Sequence, residues 1–361
     1  MAIIVGTTGD DTRLVGTPET DTIFGDTTGT LLAVGGNDRI FGLANTLGEF
    51  ETLSGDALTI GPGGRGGNDV IMGGDGNDTI WGDASGTLFG IGGSDVIYQN
   101  AGTSGFIHGD ARVLEAGSRG GDDKLYGEGF LIGDANDEMI DAMGGNDLLD
   151  ATDASDRANL YGDSYYQLVG TSRGGNDVLK GSSFRDLMRG DADNNLLDQA
   201  RGGNDRLQGN GGDDDMFGDA QRMDDTAAGG NDVVRGGAGD DIVYGDARSL
   251  ASFAQGGNDR IHGGSGDDEL WGDGELRDDA VGGKDRFFFS GNFGDDQILD
   301  FRAEDGDQLI LQGLTPSEVQ ISIVTVTDPN DSTLITTLGD DSITLVGFTG
   351  GLALGTDIVF A

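Results

Sequence analysis

Apolar residues recur along this chain one at a time, at a nearly constant interval and in a nearly constant frame. Ile40, Ile71, Ile97, Leu125, Leu149, Leu179, Leu207, Val234, Ile261 and Phe287 each follow an aspartate with one residue between, and that aspartate closes a phrase reading GGND, GGSD, GGDD or GGKD. A lone inward-facing side chain between polar positions predicts a strand of about three residues, because successive side chains on a strand point to opposite faces. A second phrase, Gly-Asp, recurs with its glycines at 25, 55, 82, 109, 133, 162, 190, 218, 245 and 272. The steps between these glycines are near-equal, and each glycine precedes the aspartate of the first phrase by an almost fixed stretch of chain. Such an internal repeat predicts a solenoid whose short strands pair from coil to coil.

Where the piece between the two phrases is regular it is a nonapeptide: GGDGNDTIW, GNGGDDDMF, GGAGDDIVY and GGSGDDELW, with Asp78, Asp214, Asp241 and Asp268. On these residues the chain resembles the RTX, or hemolysin-type calcium-binding, family over nearly its whole length. The resemblance implies an all-β parallel β-roll, or β-solenoid, in which six glycine-rich residues turn, three form a strand, and Ca2+ ions sit between stacked turns. It implies as ligands Asp38, Asp69, Asp95, Asp123, Asp147, Asp177, Asp205, Asp232, Asp259 and Asp285 in one row of turns, and Asp78, Asp214, Asp241 and Asp268 in the other. Asp83, Asp110, Asp219, Asp246 and Asp273, in the Gly-Asp phrase, read either as further ligands or as side-chain caps of a turn.

The physics of the repeat agrees. One inward residue per strand builds a thin ladder that buries little area, too little to offset the ordering of so many glycines. A hard divalent cation wants about six to eight oxygens, which backbone carbonyls and aspartates from two neighbouring coils can supply.

Two features depart from a plain roll. A coil of two nonapeptides is shorter than most coils here, because one turn row carries insertions such as ARSLASFAQ, AQRMDDTAA, ARVLEAGSR and SYYQLVGTSR. They read first as one extended turn row. A short third strand around Leu250, Met223 and Leu114, with a triangular cross-section, is the alternative that periodicity leaves open. The other row is uneven: it is regular over residues 73–81 and 181–271, but GLANTLGEFETLS, QNAGTSGFIH and GEGFLI lack the aspartate-ended turn. Calcium is therefore expected to be denser in the C-terminal half of that row.

The repeat region is assigned to residues 1–284. Residues 285–361, aromatic and then alternating, predict a β cap over the last coil. The final stretch, GFTGGLALGTDIVFA, resembles an uncleaved signal for type I secretion machinery. That resemblance implies an extracellular or cell-surface protein with no N-terminal signal.

Composition bounds the function. The 361 residues include 65 acidic and 21 basic ones, a formal charge of −44, with 70 glycines and no cysteine. Nucleic acid and anionic membrane surfaces are excluded as partners by that charge, and disulfides and thiolate metal sites by the missing cysteines. No stretch is long and apolar enough for a membrane span. No P-loop, HExxH or GxSxG string occurs, and His108 and His262 read as surface strand positions rather than catalytic bases, so no enzyme is expected. Trp81 and Trp271 read as packing beside the roll. The expected function is a secreted, calcium-stabilised structural protein that folds on binding Ca2+ and assembles with itself, head to tail through an uncovered first coil at Ile3 and Ile4 or as a lattice. The alternatives are a folding and secretion module of an exoenzyme, and an adhesin or polysaccharide binder using Tyr165, Tyr166, Phe89 and Phe253.

Overall fold

The computed structural model describes residues 2–43, 50–100, 105–324, 332–337, 341–348 and 351–361. Parts of two irregular turns, 44–49 and 101–104, and parts of the C-terminal stretches read as strands and as a secretion signal, lie outside the described residues.

The chain winds as a stack of parallel strands on three faces, with no helix among the described residues. The first face is a 15-stranded sheet, its repeat strands exemplified by Thr79–Trp81, Phe106–His108 and Asp215–Phe217. The second face has 10 strands, among them Ala84–Leu88, Ala111–Leu114 and Ala247–Leu250. The third has 13, among them Val96–Tyr98, Lys124–Tyr126 and Arg206–Gln208. Each coil visits the faces in that order. Its strands pair in parallel with the equivalent strands of the coils above and below, as Ile80 with Ile107 and Ile97 with Leu125. The rise per coil is therefore the interstrand spacing, about 4.8 Å.

The second face corrects the reading of the insertions as an extended turn. Those residues form a third sheet. Its inward positions are the residue directly after the Gly-Asp phrase, alanine in seven of the ten, and a Leu, Met or Ile three or four residues on: Ala111 with Leu114, Ala220 with Met223, and Ala247 with Leu250 are all fully buried. A three-residue interval breaks strict alternation, and register shifts such as that between Ala84 and Thr87 absorb the difference. A test for period two therefore does not see this strand.

The inward residues form two separate apolar clusters. One lies between the first and third faces, with Ile80, Ile107, Leu131 and Leu160 on one side and Ile97, Leu125, Leu149 and Leu179 on the other. The second lines the second face with the alanine and leucine ladder. At the corner between the second and third faces the chain turns through left-handed residues: Asp198, Asp225, Ser252 and Asp278 have φ of 61°, 60°, 57° and 56°, and Gly117 and Gly170 have 82° and 71°. Asp and Gly tolerate that backbone, and β-branched residues do not.

The second face ends at Glu275–Leu276, while the other two continue. Arg286–Ser290, Gln308–Gln312 and Ile358–Phe360 extend the third face in parallel. Asp295–Ile298 and Ser342–Leu345 extend the first, followed by the antiparallel strands Ser332–Thr337 and Val319–Val324. Phe287, Phe289, Phe293 and Phe301 enlarge the cluster between the first and third faces at this end of the core. In the first strand Ile3 is 65% exposed and Ile4 packs against the core, so of the two only Ile3 is free to meet a partner.

His108 is not a surface residue. It is fully buried, stacked on Trp81 with ring centroids 3.8 Å apart, and its ring nitrogens meet the Ile80 carbonyl and Asn136 Oδ1. Burial pushes its pKa down to about 4. Phe217, Tyr244 and Trp271 stack in the same column, with Arg189 over the Phe217 ring. This packing is what the tryptophan positions predict.

Candidate calcium-binding turns

Three columns of buried carboxyl groups run along the solenoid, each built by one repeat position. The first contains the aspartates of the GGND phrase. In each, Oδ1 accepts the backbone N–H of the equivalent residue one coil earlier: Asp38 from Asp11, Asp69 from Asp38, Asp95 from Asp69, Asp123 from Asp95 and Asp147 from Asp123, at 2.6 to 2.7 Å. The series continues through Asp177, Asp205, Asp232, Asp259 and Asp285, and finishes on Asp307. One oxygen of every aspartate thus caps a turn. The other, Oδ2, is buried without a partner in Asp38, Asp69, Asp95, Asp123, Asp147, Asp177, Asp205, Asp232, Asp259 and Asp285.

The second column contains the Gly-Asp aspartates. Asp83 and Asp110 each hold the N–H of the second glycine of a GGND-type turn, Gly93 and Gly121, through both oxygens. Asp219 and Asp246 hold Gly230 and Gly257 through Oδ1 alone and leave Oδ2 buried and free. The cap and the free oxygen therefore coexist in one side chain. Asp26, Asp56, Asp134, Asp163 and Asp191 occupy the same position, although the sequence reading did not single them out. Their phrase is the same, FGD, SGD, IGD, YGD and RGD, so the signal was present.

The first two columns meet beside the glycine of each Gly-Asp. A Cβ placed on Gly82 would lie 1.8 Å from the Gly109 carbonyl oxygen and 2.1 Å from Asp95 Oδ2; on Gly190 it would lie 1.7 Å from the Gly218 carbonyl and 2.3 Å from Asp205 Oδ2. Carbonyl and carboxylate oxygens of adjacent coils thus converge where only glycine leaves room.

The third column lies at the corner between the third and first faces. Asp186, Asp214, Asp241, Asp268 and Asp296 are linked in the same way, Oδ1 to the preceding backbone N–H, and Asp78 takes the N–H of Glu51. Oδ2 is unpartnered in Asp78, Asp214, Asp241, Asp268 and Asp296. Between Asp78 and Asp186 the register places Gly105, Gly129 and Ala158 in the column, so three successive coils lack its carboxylate. At Gly105 the amide of Gln99 takes the space, its Nε2 being 2.2 Å from where a Cβ on Gly105 would stand. Gln99 itself occupies a position that elsewhere is glycine, such as Gly73 or Gly209. Asp186 was missed because SSFRD carries no glycine phrase.

Electrostatics set the requirement. Burial, followed by repulsion from neighbouring aspartates, holds the carboxyls of Asp69, Asp83, Asp95, Asp110, Asp147, Asp177, Asp205, Asp232, Asp246 and Asp259 well above the ordinary 3.8. Burial pushes Asp38 and Asp214 up to about 7, Asp123 and Asp241 to about 8, Asp285 to about 11, and Asp268 and Asp273 to about 6. Asp78 and Asp219 are raised for the same first reason. A buried anion without a counter-charge costs several kcal/mol, so rows of them call for cations. At one end the protein supplies its own: Arg302 Nη1 lies 2.8 Å from Asp273 Oδ2, closing the second column. No group of three acidic or histidine side chains converges on one point among the described residues. A bound ion would therefore take carboxylate oxygens from neighbouring coils and complete its shell from turn carbonyls, the hard oxygen set that suits Ca2+.

Of the aromatic residues of the insertions, Tyr166, Phe89 and Phe253 are exposed, and Tyr165 and Tyr166 line one cavity with Val113, Asn136, Asp137 and Glu138. Tyr165 packs edge-on against Phe130 and Tyr161, while Phe89 and Phe253 stand on coils far apart.

These faces and turn columns define a parallel β-solenoid of about ten coils with a repeated acidic turn. The RTX calcium-binding nonapeptide repeat, whose model spans four copies, matches residues 63–85, 171–198, 199–222, 226–247 and 253–275. No curated protein matches the chain.

Proposed function

We propose that the protein is a secreted structural rod that calcium folds and stiffens, and that works in assemblies at the cell surface or in the extracellular matrix. The observation that carries this reading is the set of buried aspartate Oδ2 atoms without partners, one per coil in the GGND column and repeated in the third column. A fold that places one unpaired carboxylate oxygen in every turn is at its most stable with a divalent ion in each. The proposed ligands are Asp38, Asp69, Asp95, Asp123, Asp147, Asp177, Asp205, Asp232, Asp259 and Asp285, then Asp78, Asp214, Asp241 and Asp268, with Asp83, Asp110, Asp219 and Asp246 adding a second carboxylate on their coils, while Asp273 takes Arg302 as its counter-charge.

In a compartment of very low free calcium, self-repulsion at −44 and the entropy of 70 glycines keep such a chain open, a form suited to passage through a secretion channel. Outside, sites with dissociation constants on the order of 0.1 to 1 mM fill, and binding free energy becomes folding free energy. Circular dichroism in EGTA and then in calcium tests the switch. The expected result is gain of β structure on adding calcium and its loss on chelation. An equally ordered, equally heat-resistant chain in EGTA would overturn the reading.

A further inference from the structure

Seven of the 21 basic residues of this acidic chain stand on the strands of one face. On the strands of the third face stand Arg39, Lys124, Lys180, Arg206, Arg235, Arg260 and Arg286, and Asp150 is the only acidic residue in that sheet's described strands. Asp150 is already paired with Lys180 at 2.8 Å. Arg39, Arg206, Arg260 and Arg286 are exposed, and neither they nor Arg235 make an ion pair among the described residues. Pairing in register puts Arg206, Val233, Arg260 and Arg286 in one column, with Arg235 and His262 in the next. Burial, with Arg235 and Arg260 nearby, pushes His262 down to about 4.

Immediately beyond these strands, at the corner with the first face, runs a stripe of the opposite sign. Asp213, Asp240, Asp267 and Asp295 are exposed and stacked on successive coils; the Oδ1 atoms of Asp213, Asp240 and Asp267 each accept the backbone N–H of the next aspartate at 2.9 to 3.0 Å. They do not belong to the three buried columns. The two stripes cover the same four coils and share one rise, so their charges match on three of the four, Val233 interrupting the basic stripe level with Asp240.

Two adjacent stripes of opposite sign are self-complementary about a two-fold axis parallel to the solenoid. We propose that a second copy of this chain docks here, side by side and in the same direction, so that Arg206, Arg260 and Arg286 of each copy face Asp213, Asp267 and Asp295 of the other. This rests on the assembly reading above and names its contact.

The test uses the full chain in calcium, followed by analytical ultracentrifugation and circular dichroism. Wild-type protein is expected to sediment as a dimer of the 37.2 kDa chain at low salt and to dissociate in about 1 M salt, where the screening length falls to about 3 Å. The R206E/R260E/R286E variant is expected to fold in calcium and to dimerise at least about a hundredfold more weakly, as is the D213K/D267K/D295K variant. Lysine fits the acidic column, because Arg185 holds the position before Asp186 that Asp213 holds before Asp214. An equimolar mixture of the two variants is expected to form the dimer that neither forms alone. A wild type that stays monomeric while folding with calcium, or reversal variants that still dimerise, would overturn the lateral contact and leave the calcium reading in place. Loss of calcium-dependent folding in the wild type would overturn the reading beneath it.

Discussion

Asp205→Asn changes one atom of a buried carboxyl and separates its two roles. Oδ1 accepts the Asp177 N–H at 2.7 Å, and an asparagine Oδ1 continues to do so. Oδ2 has no partner and lies beside the Gly218 carbonyl, close to Gly190. Only this second oxygen becomes an amide nitrogen, which cannot bind calcium. An ion held with a dissociation constant on the order of 0.1 to 1 mM contributes about 1.4 to 2.7 kcal/mol at about 10 mM calcium, from RT ln(1 + [L]/Kd). The variant is expected to lose that amount for each ion Asp205 touches, on one or both sides of its coil. In EGTA the sign reverses. Burial and neighbouring aspartates already hold the Asp205 carboxyl far above its ordinary range, so a neutral amide removes a penalty and the metal-free chain is no less stable than wild type. Thermal melts by circular dichroism in saturating calcium and in an EGTA-buffered solution at the lowest free calcium that still leaves the chain folded read both effects, and titration calorimetry reads the lost ions. Equal destabilisation in the two buffers would refute the assignment, because it would make Asp205 a cap and nothing more.

Three further outcomes follow from the same columns. Asp38, Asp123, Asp241 and Asp296 have folded pKa values raised to between about 7 and 8, above the ordinary 3.8. In the metal-free chain their protonated forms therefore favour the fold below about pH 4, and that help is lost as pH rises through about 7 to 8. Acidification in EGTA is expected to raise the β signal reversibly; a signal that falls or stays flat on acidification counts against the buried columns. Gly82→Ala would put a methyl group 1.8 Å from the Gly109 carbonyl, and is expected to cost about 3 kcal/mol or more, whereas Gly29→Ala meets nothing closer than Thr27 Oγ1 at 3.7 Å and is expected to be tolerated. Paired melts in calcium decide this, and equal tolerance of both variants would contradict the packing. Finally, Gln99→Gly with Gly105→Asp rebuilds the third column where the Gln99 amide now plugs it, and calorimetry is expected to count about one more calcium ion than in wild type; an unchanged count would mean that the aspartate register does not suffice to make a site.

The chain's own residue order determined most of this architecture. A phrase that returns at near-equal intervals with an aspartate, one spacer and an apolar residue allows little but stacked short strands, and the structure shows Ile71, Ile97 and Leu125 paired in that register. The row of GGND aspartates was legible for the same reason, since a fixed offset from the strand becomes a straight column once coils stack. The sheet of the second face was legible only as the alternative to an extended turn. Ala111 and Leu114 point inward from positions that break alternation, and they become a strand only when the coils on either side supply the ladder and a register shift absorbs the extra residue. Asp186 and Gln99 were hidden because local phrase and spatial column part company there: an aspartate without its glycines still reaches the column, and a glutamine from the preceding turn fills the place of a missing one. Tertiary structure also decided the fate of His108, which an otherwise polar sequence placed at the surface and a neighbouring face covered. Periodicity dictates which residues share a column, whereas folding decides which columns meet. Oxygens from two phrases separated by a whole strand and its flanking turns converge on one glycine only because the second face brings the backbone back to the corner it left.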